Sequence, residues 1–198
     1  VELERFIVEK KEITDACNKF DKSKISVLET AAENIRRFAQ KQKEQFKDFE
    51  YEIKAGVVTG QKIIPIAKVG IYTPGGRFPL PSTVLMCSIP AKIAAVNEII
   101  LCSPPTYNGT IHPAILVAAD ICQLDQLYKI GGVQAIAAMA YGTETIKPVN
   151  KIVGPGNKYV TAAKKIVYGT VGIDFLAGPT EVLIIADDTA NPKFIAAD

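Results

Sequence analysis

From Lys68 onward, short apolar runs alternate with segments long enough to form helices. The predicted strands are 69–72, 98–102, 126–130, 151–153, 172–175 and 181–186, and the predicted helices are 82–95, 111–122, 133–141 and 158–168. Strands that alternate with helices are typical of βαβ units, in which helices cover both faces of a parallel sheet. The sequence therefore predicts an α/β protein.

The first third of the chain has a different pattern. Residues 1–49 have the spacing of amphipathic helices, with charged residues between the apolar ones. Between 49 and 66 the period changes to two, because apolar residues at 51, 53, 55 and 57 alternate with others. We expect a β-hairpin here, with its turn at Thr59-Gly60 before a second apolar run.

The charge balance and the apolar runs exclude two classes of partner. Lys and Arg total 23 against 21 Asp and Glu, and the net charge of +2 is too small to favour nucleic acid. No apolar stretch reaches the roughly 20 residues of a membrane span, and no secretory signal precedes the first helix. We therefore expect no nucleic acid or membrane partner and a cytoplasmic location.

The four cysteines and the single histidine offer little chemistry. None of the cysteines forms a CxxC pair, and Cys87, Cys102 and Cys122 lie in apolar runs, which predicts buried free thiols in a reducing compartment. His112 precedes a proline at a predicted helix start and is expected to be a surface or capping residue. These residues cannot form a closed zinc site, and neither a GxSxG elbow nor a Walker A motif occurs.

Four glycine-bearing turns follow predicted strands, at 72–77, 131–134, 154–157 and 177–181. Ligands of open parallel sheets bind beyond the carboxyl ends of the strands, so these turns are candidate binding loops. Gln134 could donate to a ligand or satisfy the local backbone, and the 154–157 turn resembles a phosphate-binding turn without full GxGxxG spacing. The set favours a nucleotide pocket. A structural α/β domain, whose glycines serve steric needs, is the alternative.

The same segments carry a family resemblance. VGIYTPGG (69–76), PSTVLM (81–86), IILCSPP (99–105), GGVQAIAA (131–138), KIVGPGN (151–157) and IDFLAGPTEV (173–182) closely resemble histidinol dehydrogenase, in the same order and over about residues 57–198. The resemblance implies a zinc-dependent enzyme that oxidises L-histidinol to L-histidine in two NAD-linked steps through an aldehyde. It assigns NAD contacts to Tyr72, Gln134 and Asn157, and a substrate-binding hydroxyl to Thr180.

The resemblance also implies residues that this chain does not contain. The family's zinc ligands and its catalytic Glu-His pair are expected after Asp198, so we expect no catalytic residue and no metal ligand here. Asn191-Pro192 begins a helix just before the sequence stops, which predicts a cut chain. We expect this chain alone to be inactive and to bind NAD weakly.

The implied architecture is a homodimer of subunits with two incomplete Rossmann-like parallel sheet domains, as in the aldehyde dehydrogenase and histidinol dehydrogenase folds. Residues 1–71 would form N-terminal helices and a hairpin in domain one, 72–179 the second domain with the NAD loops, and 180–198 the return into domain one. Two alternatives stay open: a non-catalytic nucleotide-binding or assembly module, and another dehydrogenase such as an aldehyde dehydrogenase. The latter requires a reactive cysteine with a lowered pKa.

Overall fold

A computed structural model of the chain describes residues 5–75, 78–124, 126–176 and 183–196. The helices in these ranges are α1 (Lys10–Lys19), α2 (Lys22–Lys43), α3 (Pro81–Ile93), α4 (Pro113–Ile121), α5 (Gly132–Tyr141), α6 (Lys158–Val167) and α7 (Pro192–Ile195). The strands are β1 (Phe49–Lys54), β2 (Val57–Gln61), β3 (Lys68–Tyr72), β4 (Glu98–Ser103), β5 (Gln126–Lys129), β6 (Lys151–Val153) and β7 (Gly172–Ile173).

Five of these strands form one parallel sheet, in the order β5-β4-β3-β6-β7. The chain moves outward from β3 through β4 to β5, then returns to place β6 on the other side of β3. This confirms the α/β prediction. The division of the chain into domains at 71/72 and 179/180 stays a prediction, although β3 itself begins at Lys68 and lies in the middle of the sheet.

Helices cover both faces of the sheet because alternate strand residues point in opposite directions. Val69 and Ile71 of β3 lie in a core shared with α3, α4 and the outer helices α1 and α2. Tyr72 lies on the opposite face, in a core shared with α5 and α6. Gly70 permits α5 to approach closely, since a Cβ there would lie 2.5 Å from the sulfur of Met139.

The N-terminal segment covers one edge of this sheet. The Val8 amide donates to Leu127, and the Lys129 amide donates to Phe6, so residues 6–8 pair antiparallel with β5. Covering an edge strand in this way removes a row of unpaired backbone groups. No helix in the described ranges is both long and apolar enough to cross a membrane.

The hairpin forms, but its predicted turn position is wrong. β1 and β2 pair antiparallel, and the turn between them lies at Ala55-Gly56, where Gly56 has a φ of +78°. Gly60 lies inside β2, where a Cβ would overlap the carbonyl oxygen of Phe49. Glycine at 60 therefore serves close strand packing, while the left-handed backbone of the turn uses Gly56.

Two predicted strands differ from the structure. β7 is shorter than predicted: it ends at Ile173, although the Asp174 amide still donates to the Ile152 carbonyl oxygen of β6. The predicted strand at 181–186 is not seen at its described residues, 183–186, where Leu183 is 86% and Ile185 89% exposed. An extended segment becomes a strand only by pairing, and no strand in the described ranges lies beside this one.

Candidate functional site at the reversal of strand order

The candidate site lies beyond the carboxyl ends of β3 and β6. These strands are neighbours, yet they come from the two halves of the sheet that the chain builds in opposite directions. In open α/β sheets, the crevice at this reversal is where ligands bind. The loops that begin at Thr73 and Gly154 leave the two strands at this point, so both face the crevice.

Glycines bring the surrounding loops into contact. Gly154 has a φ of +114°, and a Cβ there would overlap the carbonyl oxygen of Tyr72 and lie 3.0 Å from its carbonyl carbon. A Cβ on Gly131 would lie 2.5 Å from that of Pro104, and one on Gly75 would lie 3.1 Å from the Pro104 carbonyl oxygen. At these positions the glycines therefore serve contacts between loops, the steric role that the sequence left open.

Tyr72 links β3 to the start of α5. Its ring is buried, with 4% of the residue exposed, and its hydroxyl oxygen accepts a hydrogen bond from the Gly132 amide at 3.2 Å. The hydroxyl keeps its own proton for donation to a ligand. Gln134 lies in the same first turn of α5 and is exposed, with its side-chain oxygen 3.0 Å from the position of a Cβ on Gly132. The structure thus brings Tyr72 and Gln134 to one helix end.

Asn157 begins α6 directly after the glycine turn. Its Oδ1 accepts hydrogen bonds from the amides of Tyr159 and Val160, at 3.0 and 3.1 Å. These are the first-turn amides that a phosphate would use, so the turn does not present them as an empty phosphate cradle. Instead, the exposed side chain retains an NH2 group that can donate to a ligand.

A buried ion pair supports this turn, and the sequence did not single it out. Lys164 of α6 pairs with Asp174 and donates to the Gly154 carbonyl oxygen at 3.0 Å. The second oxygen of Asp174 accepts from the Gly154 amide at 2.9 Å. Helical spacing in the sequence could have indicated the burial of Lys164, because this residue shares a helix face with Val160, Ala163 and Val167, all of them buried. A charged residue on an apolar face indicates a buried partner.

The structure describes only part of the remaining predicted set. Thr180, predicted to contact substrate, lies outside the described residues. His112 is the N-cap of α4, where its Nδ1 accepts from the Ala114 amide at 3.2 Å, which confirms the capping prediction. Among the residues that the structure describes, no three His, Cys, Asp or Glu side chains come together as a metal site would require.

The cysteines are free thiols with raised pKa values. Burial raises the pKa of Cys87 to about 11, that of Cys102 to about 12 and that of Cys122 to about 11. Burial also raises the pKa of Cys17, with a further contribution from Asp120. An aldehyde dehydrogenase needs a thiol with a lowered pKa, and none of these four supports that alternative.

These pKa values predict slow modification of the folded chain. At pH 8 we expect a disulfide reagent to label the four cysteines slowly, and to label all of them rapidly once urea unfolds the chain. Because folding raises these pKa values above the ordinary 9.0, their contribution to stability is present below pH 9. It is lost as pH rises towards 11. Rapid labelling of a thiol in the folded chain at pH 8 would contradict this prediction.

The strand order defines a doubly wound, Rossmann-like α/β protein with a crevice where that order reverses. The family model of histidinol dehydrogenase matches residues 1–198. The chain belongs to the histidinol dehydrogenase family.

Individual relatives agree with this assignment. The chain is 57% identical to histidinol dehydrogenase from Methanocaldococcus jannaschii and 52% identical to that from Methanothermobacter thermautotrophicus, each over the whole chain. It is similar to the crystal structure of histidinol dehydrogenase from Elizabethkingia anophelis, with a TM-score of 0.88 and 47% identity over 98% of this chain and 45% of that one. The chain spans 46% of the length of the two curated relatives.

Proposed function

We propose that this chain is the cofactor-binding part of an enzyme that oxidises L-histidinol to L-histidine with NAD. The proposal rests on the family and on one observation above all. Tyr72, Gln134 and Asn157 come from three separate segments, and all stand around the crevice where the strand order reverses. The corresponding pathway is histidine biosynthesis.

The three side chains fit a dinucleotide in their chemistry. A hydroxyl and two carboxamides are neutral groups that both donate and accept, as the ribose hydroxyls, carboxamide and phosphates of NAD require. NAD, when bound, supplies the hydride acceptor. In this chain the Tyr72 hydroxyl would donate, because its oxygen already accepts from Gly132. Asn157 would donate through its NH2, because its oxygen already caps α6.

The zinc ion of the family does not fit the residues described here. They contain no cluster of three potential ligands, and the single histidine of the sequence caps a helix. We therefore propose that zinc ligands and the catalytic acid-base residues belong to a part of the enzyme that this chain does not supply. We also propose that the Thr180 hydroxyl is the substrate contact in this chain.

Substitution of the amide side chains tests the NAD site. Asn157→Asp and Gln134→Glu remove an NH2 donor while keeping nearly the same shape, so we expect each to weaken NAD binding about tenfold. Stability should change little, because Asp caps helices as well as Asn does and an acid in the first turn is favourable. The measurement is an NMR titration of the 15N-labelled chain with millimolar NAD, together with urea denaturation.

A matched control separates the lost donor from the added charge. Asn97→Asp makes the same change at an exposed residue directly before β4. This residue lies at the amino ends of the strands, whereas the candidate site lies at their carboxyl ends. We expect it to leave NAD binding unchanged. Equal weakening by Asn97→Asp and Asn157→Asp would remove the support for a specific site, and failure of the unsubstituted chain to bind NAD would overturn the proposed function.

The 198-residue chain alone is expected to be inactive. A histidinol dehydrogenase needs its metal ligands and acid-base groups close to the substrate, and the described residues gather no such set. The purified chain, supplied with L-histidinol, NAD and zinc, should produce no NADH above a boiled control. Zinc-stimulated NADH formation that scales with chain concentration would refute this expectation.

We also propose a cytoplasmic homodimer for the complete enzyme. Four free cysteines support a reducing compartment. The β1-β2 hairpin supports association, because its apolar side chains Phe49, Tyr51, Ile53, Val57 and Val58 are all exposed. A two-stranded sheet is marginally stable by itself, and a second subunit would bury this surface. Light scattering of the chain tests association, and substitution of Tyr51 and Ile53 by lysine should reduce it.

A further inference from the structure

Lys164 and Asp174 together hold both polar backbone atoms of one residue. The ammonium of Lys164 donates to the Gly154 carbonyl oxygen at 3.0 Å, and Asp174 accepts from the Gly154 amide at 2.9 Å. Asp174 is itself held by the Phe175 amide at 2.8 Å and by the ion pair with Lys164. The turn after β6 is thus tied to α6 and to the end of β7.

Stability alone does not account for this pair. Lys164 is 5% exposed, and taking a charge out of water costs about as much as its partner returns. Apolar residues of similar size are often as stable or more stable at such positions. Of the ion pairs in the described ranges, this is also the one that contacts the backbone of the glycine turn. The role of this ion pair therefore lies in holding the backbone of the Gly154 turn.

The turn needs such support. Gly154 has a φ of +114°, and Gly156 lies two residues later, so the chain between β6 and α6 could adopt several backbone conformations. The observed conformation presses Gly154 against Tyr72 and leads directly to Asn157. A fixed Gly154 peptide therefore sets the positions of two residues of the candidate site.

We propose that Lys164 and Asp174 are positioning residues for NAD, which keep the Gly154 turn in its binding conformation before the cofactor arrives. This inference rests on the proposed NAD site. A loop held in its bound conformation avoids the entropy cost of ordering on binding. Neither side chain is required to touch the cofactor, since each acts through the backbone of Gly154.

The first test is Lys164→Met, which keeps the aliphatic stem and removes the ammonium. We expect NAD binding to weaken about tenfold or more in an NMR titration of the 198-residue chain. The Gly154 backbone amide should exchange with solvent faster in the absence of NAD. Lys68→Met is the matched control, because it breaks the Lys68–Glu98 pair at the amino ends of β3 and β4. It should leave NAD affinity and Gly154 exchange unchanged.

A double variant separates positioning from stability. In Lys164→Met with Asp174→Leu no unpaired buried charge remains, so its unfolding midpoint should lie closer to that of the unsubstituted chain. A stabilising role alone predicts that NAD affinity recovers with the midpoint, whereas a positioning role predicts that it stays low. The double variant makes the same comparison if Lys164→Met does not fold.

The outcomes are distinct. Unchanged NAD affinity in a folded double variant, when the unsubstituted chain does bind NAD, would overturn the positioning role and leave the proposed function intact. Absence of NAD binding by the unsubstituted chain would overturn both. Weakened binding and faster Gly154 exchange in both Lys164 variants, with the Lys68 control unchanged, would support the inference.

Discussion

Replacement of Gly154 by alanine is expected to lower the free energy of unfolding by about 3 kcal/mol and to abolish NAD binding. Two effects combine at this residue. A φ of +114° is strained for any residue with a Cβ, and that Cβ would overlap the carbonyl oxygen of Tyr72. The overlapping atom belongs to a central strand, so it cannot move aside as the end of a flexible side chain could. Urea denaturation and an NMR titration with NAD measure the two losses.

Gly169→Ala provides the matched control. Gly169 has a similar backbone conformation, with a φ of +102°, but a Cβ there would meet no atom within 4 Å. Its substitution should therefore cost only the backbone strain, about 1–2 kcal/mol, and leave NAD binding unchanged. Equal destabilisation by the two substitutions would show that contact between Gly154 and Tyr72 is not what requires the glycine.

Ile152→Ala is expected to destabilise the chain by about 2–5 kcal/mol. Ile152 is fully buried in β6, in the core that β6 shares with α5 and α6. Truncation removes apolar contacts and leaves a cavity that the neighbouring strands cannot fill without moving. Because β6 ends directly before Gly154, we also expect NAD binding to weaken. Urea denaturation measures the effect. The midpoint should fall, while the slope of the unfolding free energy against urea concentration should stay the same.

The same chemical change at Ile166 is the control. Ile166 lies on α6 and is 77% exposed, so its truncation should change the free energy of unfolding by no more than about 0.5 kcal/mol. Comparable losses at 152 and 166 would contradict the assignment of Ile152 to the core. A large loss at 152 with unchanged NAD affinity would show that the Gly154 turn does not depend on the packing of β6.

Much of the site was predictable because its local features depend on near neighbours in sequence. The alternation of apolar runs placed β3, β6, α5 and α6 within a residue or two of their observed bounds. Asn157 and His112 cap helices, as residues at predicted helix starts often do. A capping bond joins residues two or three apart, so the sequence alone is sufficient to indicate it.

Other features depend on residues far apart in sequence. The hairpin turn lies at Gly56 because pairing with Glu50 places Gly60 inside a strand, and the local pattern did not distinguish the two glycines. Lys164 is buried only because Asp174 and the Gly154 carbonyl meet it there. The predicted strand at 181–186 is absent at 183–186, since its apolar run finds no partner strand in the described ranges.

The sequence by itself determined the α/β class, the family and the residue types around the crevice, because periodicity, capping and motif order are properties of the linear chain. The tertiary structure decided which of these residues become neighbours. Only the strand order β5-β4-β3-β6-β7 makes Tyr72 and Gly154 neighbours, and only that contact explains why the turn before Asn157 requires glycine. The physical reason is that packing and burial of charge depend on atoms brought together by folding, many residues apart in sequence.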